Sequence, residues 1–248
     1  MYESIVRPAA SWLSGAAAVL ALAFGLISTH VMLAMIVSYV YVVSPFTGGQ
    51  GDGGVSMDHD NPLFLNTHPL CMVLAFCFFM PEAALVYRWL PAERPTKKYV
   101  HAALHSAALI SSSIGWYVKW YDDEYTTGHV HFGRMHSHFG LIALILFYGQ
   151  YLAGFGMYLF PGAPLDDRPL YSPYHKFVGV LTISLGAIAA GTGALYIQAA
   201  YAENVAINDD NQYYTIWLGL IAAFTAVAVA IGVLLNNKPV KRDLLLNN

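Results

Sequence analysis

The sequence predicts an all-α protein, a bundle of six transmembrane helices. Three observations predict it. The chain has 248 residues, 57% hydrophobic and only 11% charged, where a soluble domain carries about 25% charged residues. Its apolar residues gather into six segments, roughly 12–43, 63–87, 99–120, 136–160, 175–201 and 213–235. The charged residues fall almost entirely between those segments. The net charge is −3, so a nucleic-acid partner is not expected.

The first segment is longer than one crossing needs, so its start lies along the membrane surface or the helix tilts. Arg7 precedes it, as in a signal peptide, but the apolar run continues far past a signal core of about 7–15 residues. The second contains Cys71 and Cys77, which read as small packing residues, not as a disulfide or a metal pair. The third to sixth approach the roughly 20 residues that cross the hydrocarbon core. Transmembrane strands need only about 9–11 residues, so length favours helices. The fifth carries Gly186-Ala187-Ile188-Ala189-Ala190-Gly191, a small-residue run suited to close helix packing.

Lysine and arginine set the orientation. Arg7, Arg88, Arg94, Lys97, Lys98, Arg168, Lys176, Lys238, Lys241 and Arg242 share one face if the chain crosses six times. Only Lys119 and Arg134 fall on the other. That other face carries acidic loops with Asp52, Asp58 and Asp60, with Asp122, Asp123 and Glu124, and with Glu203, Asp209 and Asp210. Both termini are therefore expected in the cytosol.

Four histidines open successive apolar segments: His68, His101, His136 and His175, spaced by 33, 35 and 39 residues. Each spacing is about one crossing plus a turn. Because the chain reverses at each crossing, His68 and His136 fall on the non-cytosolic side and His101 and His175 on the cytosolic side. Two imidazoles meeting across helices can hold an iron porphyrin from both sides. Two such pairs, one per face, would form a path for electrons through the bilayer. A single histidine in such a segment is more often a packing residue, but four at matching depths point to a shared role. His105 shares a helix face with His101, and His138 points away from His136, so spacing leaves the ligand open in both places. A histidine-based transition-metal transporter would instead place acids at mid-membrane. Only Glu82 comes close, and it lies toward the cytosolic end of its helix. Its spacing of six from Arg88 is poor for direct contact, and no role is assigned to it.

At these residues the chain resembles the cytochrome b-561 family of transmembrane, ascorbate-dependent di-haem reductases. The second segment reads His68-Pro69-Leu70, then Glu82-Ala83, then Tyr87-Arg88. The third begins Lys98-Tyr99-Val100-His101. The fourth reads Met135-His136-Ser137, with Gly140, Gln150, Gly154-Phe155 and Pro161-Gly162 following. The fifth reads Pro173-Tyr174-His175, then Gly179. These motifs occur in the family's order and intervals over about residues 60–200. The chain is then one integral membrane domain over 1–248, with that core flanked by first and sixth helices at about 12–43 and 213–235.

The resemblance implies that the central four helices hold two b-type haems. His68 and His136 would be the axial ligands of the non-cytosolic haem, and His101 and His175 those of the cytosolic haem. It selects His101 over His105 and His136 over His138. It also implies an oxidoreductase: cytosolic ascorbate gives electrons that pass to a non-cytosolic acceptor, either monodehydroascorbate or a ferric chelate. Ascorbate is an anion, and Lys98 and Arg168 stand at the inner mouth to receive it, with Lys97 a secondary candidate. The family often forms homodimers, which sets that expectation here. The outer loops depart from the family pattern: the loop 44–62 is rich in Gly and Asp, and His129 and His131 lie near Asp122, Asp123 and Glu124. His129 and His131 are thus candidates for an outer ferric site. The competing readings are an electron-transfer subunit of a larger complex and the metal transporter.

Overall fold

The computed structural model describes residues 2–40, 53–126, 131–202 and 209–234. Among them, six long helices and no strand occur. They are α1 (Tyr2–Ser38), α2 (Thr67–Trp89), α3 (Arg94–Tyr125), α4 (Met135–Leu159), α5 (Arg168–Ala202) and α6 (Asp209–Leu234). Wider i→i+5 turns interrupt α2 at Leu74–Phe79 and close α4 at Phe155–Leu159. The helices overrun the apolar segments most at the basic side. α3 begins five residues before its apolar run and α5 seven before. Hydropathy marks the part that meets lipid, whereas backbone hydrogen bonding continues into polar sequence.

Among the described residues, five stretches are long and apolar enough to cross a membrane: Gly15–Ser38, Thr67–Trp89, Met135–Leu159, Arg168–Ile197 and Thr215–Leu234. α3 is the exception in composition, not in length. Its 32 residues reach roughly 48 Å. Its serines find hydrogen-bond partners on neighbouring helices, which relieves their cost where they are buried. Ser111 donates to the Cys71 carbonyl at 2.9 Å, and Ser106 shares a 2.9 Å hydrogen bond with Tyr151. Ser113 does the same with Tyr148 at 2.9 Å.

α2 packs on α3, α4 on α5, α5 on α6, and α6 on α1, which returns to α2. Phe147, Met32, Ile36, Met80 and Leu85 are fully buried among them. Both cysteines are free, and Cys77 is buried. The small-residue run of α5 lets two helices meet closely. An ideal Cβ on Gly191 would stand 3.7 Å from the Gly219 Cα of α6. At the other end of the run, a Cβ on Gly186 would meet the Phe76 ring of α2 at 2.7 Å. Phe76 in turn sets its ring edge to face against Phe147, centroids 5.9 Å apart. These two rings occupy the middle of the bundle: on α2, Phe76 falls between His68 and Ala83, the residues that mark its two ends in the site below.

Candidate redox site of paired histidines

His68 and His136 are the second residues of α2 and α4. Their rings face each other, centroids 6.1 Å apart and nearly perpendicular at 85°. His68 Nδ1 lies 2.9 Å from the Gly115 carbonyl of α3, and His136 Nδ1 lies 2.7 Å from the Ala189 carbonyl of α5. A carbonyl only accepts, so Nδ1 carries the hydrogen in both rings. Nε2 then keeps its lone pair. Metal-binding histidines are held in this way, with one nitrogen donating to an acceptor and the other left to the metal.

At the opposite end, His101 of α3 and His175 of α5 repeat the arrangement. Each is eight residues into its helix. Their centroids are also 6.1 Å apart, at 59°. His101 Nδ1 donates to the Ala83 carbonyl of α2 at 2.8 Å. An iron held between two imidazoles sets ring centroids about 6 Å apart, since each metal–nitrogen bond is about 2 Å and each ring adds about 1 Å. Both pairs fit that measure.

Small residues make room for the rings. A Cβ on Gly193 would stand 2.8 Å from Cε1 and Nδ1 of His136, and one on Gly154 would stand 3.3 Å from Cε1 of His175. Glycine at either position lets a helix backbone pass directly beside a ring. Sequence reading noted Gly154 only as part of a motif and did not single out Gly193.

The two local ambiguities separate in space. His138 is exposed and bonds the Arg134 carbonyl one turn back at 2.9 Å. His105 lies inward of His101, with ring centroids 4.5 Å apart, and against Phe147 at 5.9 Å. Its buried Nδ1 has no hydrogen-bond partner among the described residues. A buried polar atom without a partner costs about 1–3 kcal/mol. An orphan beside the His101–His175 pair suits a pocket that a bound group completes.

Around the His101–His175 pair stand two tyrosines. Tyr87 lies 5.5 Å from His101 and Tyr158 lies 5.5 Å from His175, ring to ring. Sequence reading gave neither a role, since a tyrosine at a membrane boundary is ordinary. The basic candidates gather at the same end. Lys97 donates from Nζ to the Tyr87 carbonyl at 3.3 Å. Lys98 Nζ stands 6.0 Å from the Tyr99 ring centroid. Arg168 donates from Nε to the Ala163 carbonyl at 2.9 Å, and its charge acts on Tyr158.

Toward the His68–His136 end, His131 faces Glu124 at 3.0 Å and Asp123 at 3.8 Å. Lys119 takes up the Asp122 and Asp123 carboxylates at 2.7 and 2.8 Å. Among the described residues, no group of three His, Cys, Asp or Glu side chains is placed to hold a metal ion. Of the two histidines expected at an outer ferric site, His131 is thus placed beside Glu124 and Asp123, while Lys119 pairs with Asp122 and Asp123. His129 lies outside the described residues. A contact the sequence did not signal lies nearby: the Arg134 guanidinium stacks 3.5 Å from the Tyr196 ring centroid.

A bundle of membrane-length helices, with histidines paired across it near both ends, defines a membrane-embedded protein of the paired-histidine kind. Residues 67–200 match the family described as eukaryotic cytochrome b561, and the chain belongs to that family. The family's name implies b-type haem. The chain is 36% identical over 154 residues to the human "Transmembrane ascorbate-dependent reductase CYB561", covering 62% of this chain and 59% of that protein. It is 38% identical over 129 residues to the Arabidopsis thaliana "Probable transmembrane ascorbate ferrireductase 4", covering 52% and 53%. To the Sus scrofa reductase of the same name as the human one it is 31% identical over 182 residues, covering 72% and 71%. The chain thus spans somewhat over half the length of the first two relatives.

Proposed function

We propose that this chain is a transmembrane oxidoreductase that moves single electrons from cytosolic ascorbate to a non-cytosolic acceptor. The observation that carries the reading is the pair of imidazole pairs, each 6.1 Å between centroids, toward opposite ends of one bundle. The names of the relatives support the donor. When bound, two b haems supply the two one-electron centres, one at His68 and His136 and one at His101 and His175.

The rest of the work belongs to the chain. Backbone carbonyls of Gly115, Ala189 and Ala83 hold three of the rings in the tautomer that leaves Nε2 free. Lys98 and Arg168, with Lys97 beside them, draw the ascorbate anion to the inner mouth. Phe76 and Phe147 keep the space between the pairs apolar, so water does not join the two ends. Six crossings, with α3 as the polar one, put both termini in the cytosol by the distribution of lysine and arginine. The membrane potential then assists the reaction, since an electron leaving a negative cytosol gains about 2.3 kcal/mol per 100 mV. Monodehydroascorbate or a ferric chelate is the acceptor. A homodimer is the expected assembly.

The test is a visible spectrum of the purified protein, oxidised and then reduced by ascorbate, with haem quantified per chain. Two low-spin haems reduced by ascorbate support the reading. Reduction by dithionite alone would remove ascorbate as the donor, and a chain without haem would overturn the whole proposal.

A further inference from the structure

Glu82 lies inside the membrane-length stretch Thr67–Trp89, with 5% of its surface exposed. Nothing in the electron path uses it. An ionisable group inside a bilayer is costly to keep, so it faces partners within the protein and marks a functional site. Its partners come from α1, a helix outside the stretch that matches the family.

Thr29 Oγ1 is hydrogen-bonded to Glu82 Oε1, and His30 Nδ1 stands 3.7 Å from the same oxygen. The His30 Nδ1 hydrogen goes to the Leu26 carbonyl at 2.8 Å. Thr29 Oγ1 lies 2.8 Å from that same carbonyl. A hydroxyl has one hydrogen to give, and a carbonyl can only accept. When Thr29 gives its hydrogen to Leu26, its bond to Glu82 forms only if the carboxyl group carries a proton. When Thr29 turns its hydrogen to Glu82, the same bond holds a carboxylate. The site therefore accommodates two states that differ by one proton, without moving a heavy atom.

The titratable group placed directly against Glu82 is His30, 3.7 Å away. On α6, residues 215–234 contain no titratable side chain. α1 brings His30, and Tyr39 follows directly after its last residue, Ser38. α5 meets α2 through Gly186 and Phe76, with His175 and Lys176 at its inner end. α3 packs on another face of α2, where His101 donates to the Ala83 carbonyl. Ala83 is the next residue after Glu82, so one peptide unit separates the carboxyl-bearing residue from the carbonyl that holds an inner ring. The carboxyl group faces α1 and the carbonyl faces α3, so charge on the inner pair would act on Glu82 across the width of α2, through protein of low dielectric.

We propose that Glu82 takes up one proton when the inner centre is reduced and returns it when the electron moves outward. This rests on the reading of His101 and His175 as the inner pair. The step balances: one electron converts ferric iron to ferrous, and one proton converts the Glu82 carboxylate to a carboxylic acid. Oxidation of the ascorbate monoanion supplies both on the cytosolic side. The electron then leaves outward, and the proton returns to the cytosol.

The test is infrared difference spectroscopy of the whole haem-loaded protein, reduced at an electrode so that ascorbate plays no part. Reduction of the inner centre should raise a protonated-carboxyl C=O band that shifts on 13C-glutamate labelling. The band should vanish in Glu82→Gln, whose amide still reaches Thr29, and shift in Thr29→Val. The inner midpoint potential should fall as pH rises, because the reduced state holds the extra proton. Glu82→Gln should lose most of that slope. A band or slope that persists in Glu82→Gln overturns the proposal. Should that variant fail to assemble, the labelled wild-type protein decides: no glutamate carboxyl signal on reduction overturns it equally. A glutamate band at the electrode in a protein that ascorbate cannot reduce would sink the donor reading and leave this one standing.

Discussion

Gly193 and His136 are fitted to each other: an ideal Cβ on the glycine would stand 2.8 Å from two atoms of the imidazole. Real Cβ atoms do not approach that closely, so the ring or the helix must move if a methyl group is added. The ring is already held against that same helix, one turn back, by its 2.7 Å bond from Nδ1 to the Ala189 carbonyl, so an added methyl would press on the nitrogen that makes the bond. Gly193→Ala is therefore expected to displace His136 and lower the occupancy of the outer haem. Gly191→Ala, two residues away, meets only ordinary contact with Gly219 at 3.7 Å and serves as the control. Haem per chain and the low-spin spectrum measure both. Equal haem content in the two variants would mean that His136 has slack the geometry does not show.

Removing one ring of a pair should empty one site. His68→Ala or His136→Ala is expected to leave one haem per chain, and the remaining spectrum should match that lost in His101→Ala or His175→Ala. The two pairs share no residue, so their losses should be independent. Parallel loss of both haems in every variant would argue that the pairs do not form separate sites.

Ascorbate entry is read from concentration dependence. Lys98→Ala combined with Arg168→Ala should raise the ascorbate concentration for half-reduction roughly five- to tenfold, the scale of two partly solvated charges. Reduction by dithionite should be unaffected. If ascorbate reduces the double variant as readily as the wild type, these cations serve topology alone.

Thr29→Val keeps the shape of the side chain and removes its hydrogen bond to Glu82. Leaving a buried carboxyl group short of a partner should destabilise the folded protein by about 1–3 kcal/mol. Thermal unfolding in detergent, followed by helical circular dichroism, reads the change. Thr192→Val offers a comparison, because Thr192 bonds only carbonyls of its own helix, at Ile188 and Ala189. A midpoint for Thr29→Val no lower than for Thr192→Val would show that α1 does not depend on this contact.

The amino-acid sequence alone determined the helical class, the segments and the ends at which the histidines sit. Those follow from local properties: runs of apolar residues, their length against a bilayer, and basic residues that choose a side. Alternation of the chain between faces even paired His68 with His136 and His101 with His175. Rotation of one helix against another is not local, and only the tertiary structure decided it. Spacing could not say that His105 turns its ring onto Phe147 while His101 faces His175, because both residues share a helical face. Nor could it bring Thr29 to Glu82, 53 residues away, or Gly193 to His136 and Arg134 to Tyr196. Side chains far apart in the chain meet only where packed helices set their relative turn and depth. That turn is fixed by the shapes of many contacts at once, Gly191 on Gly219 and Gly186 on Phe76 among them.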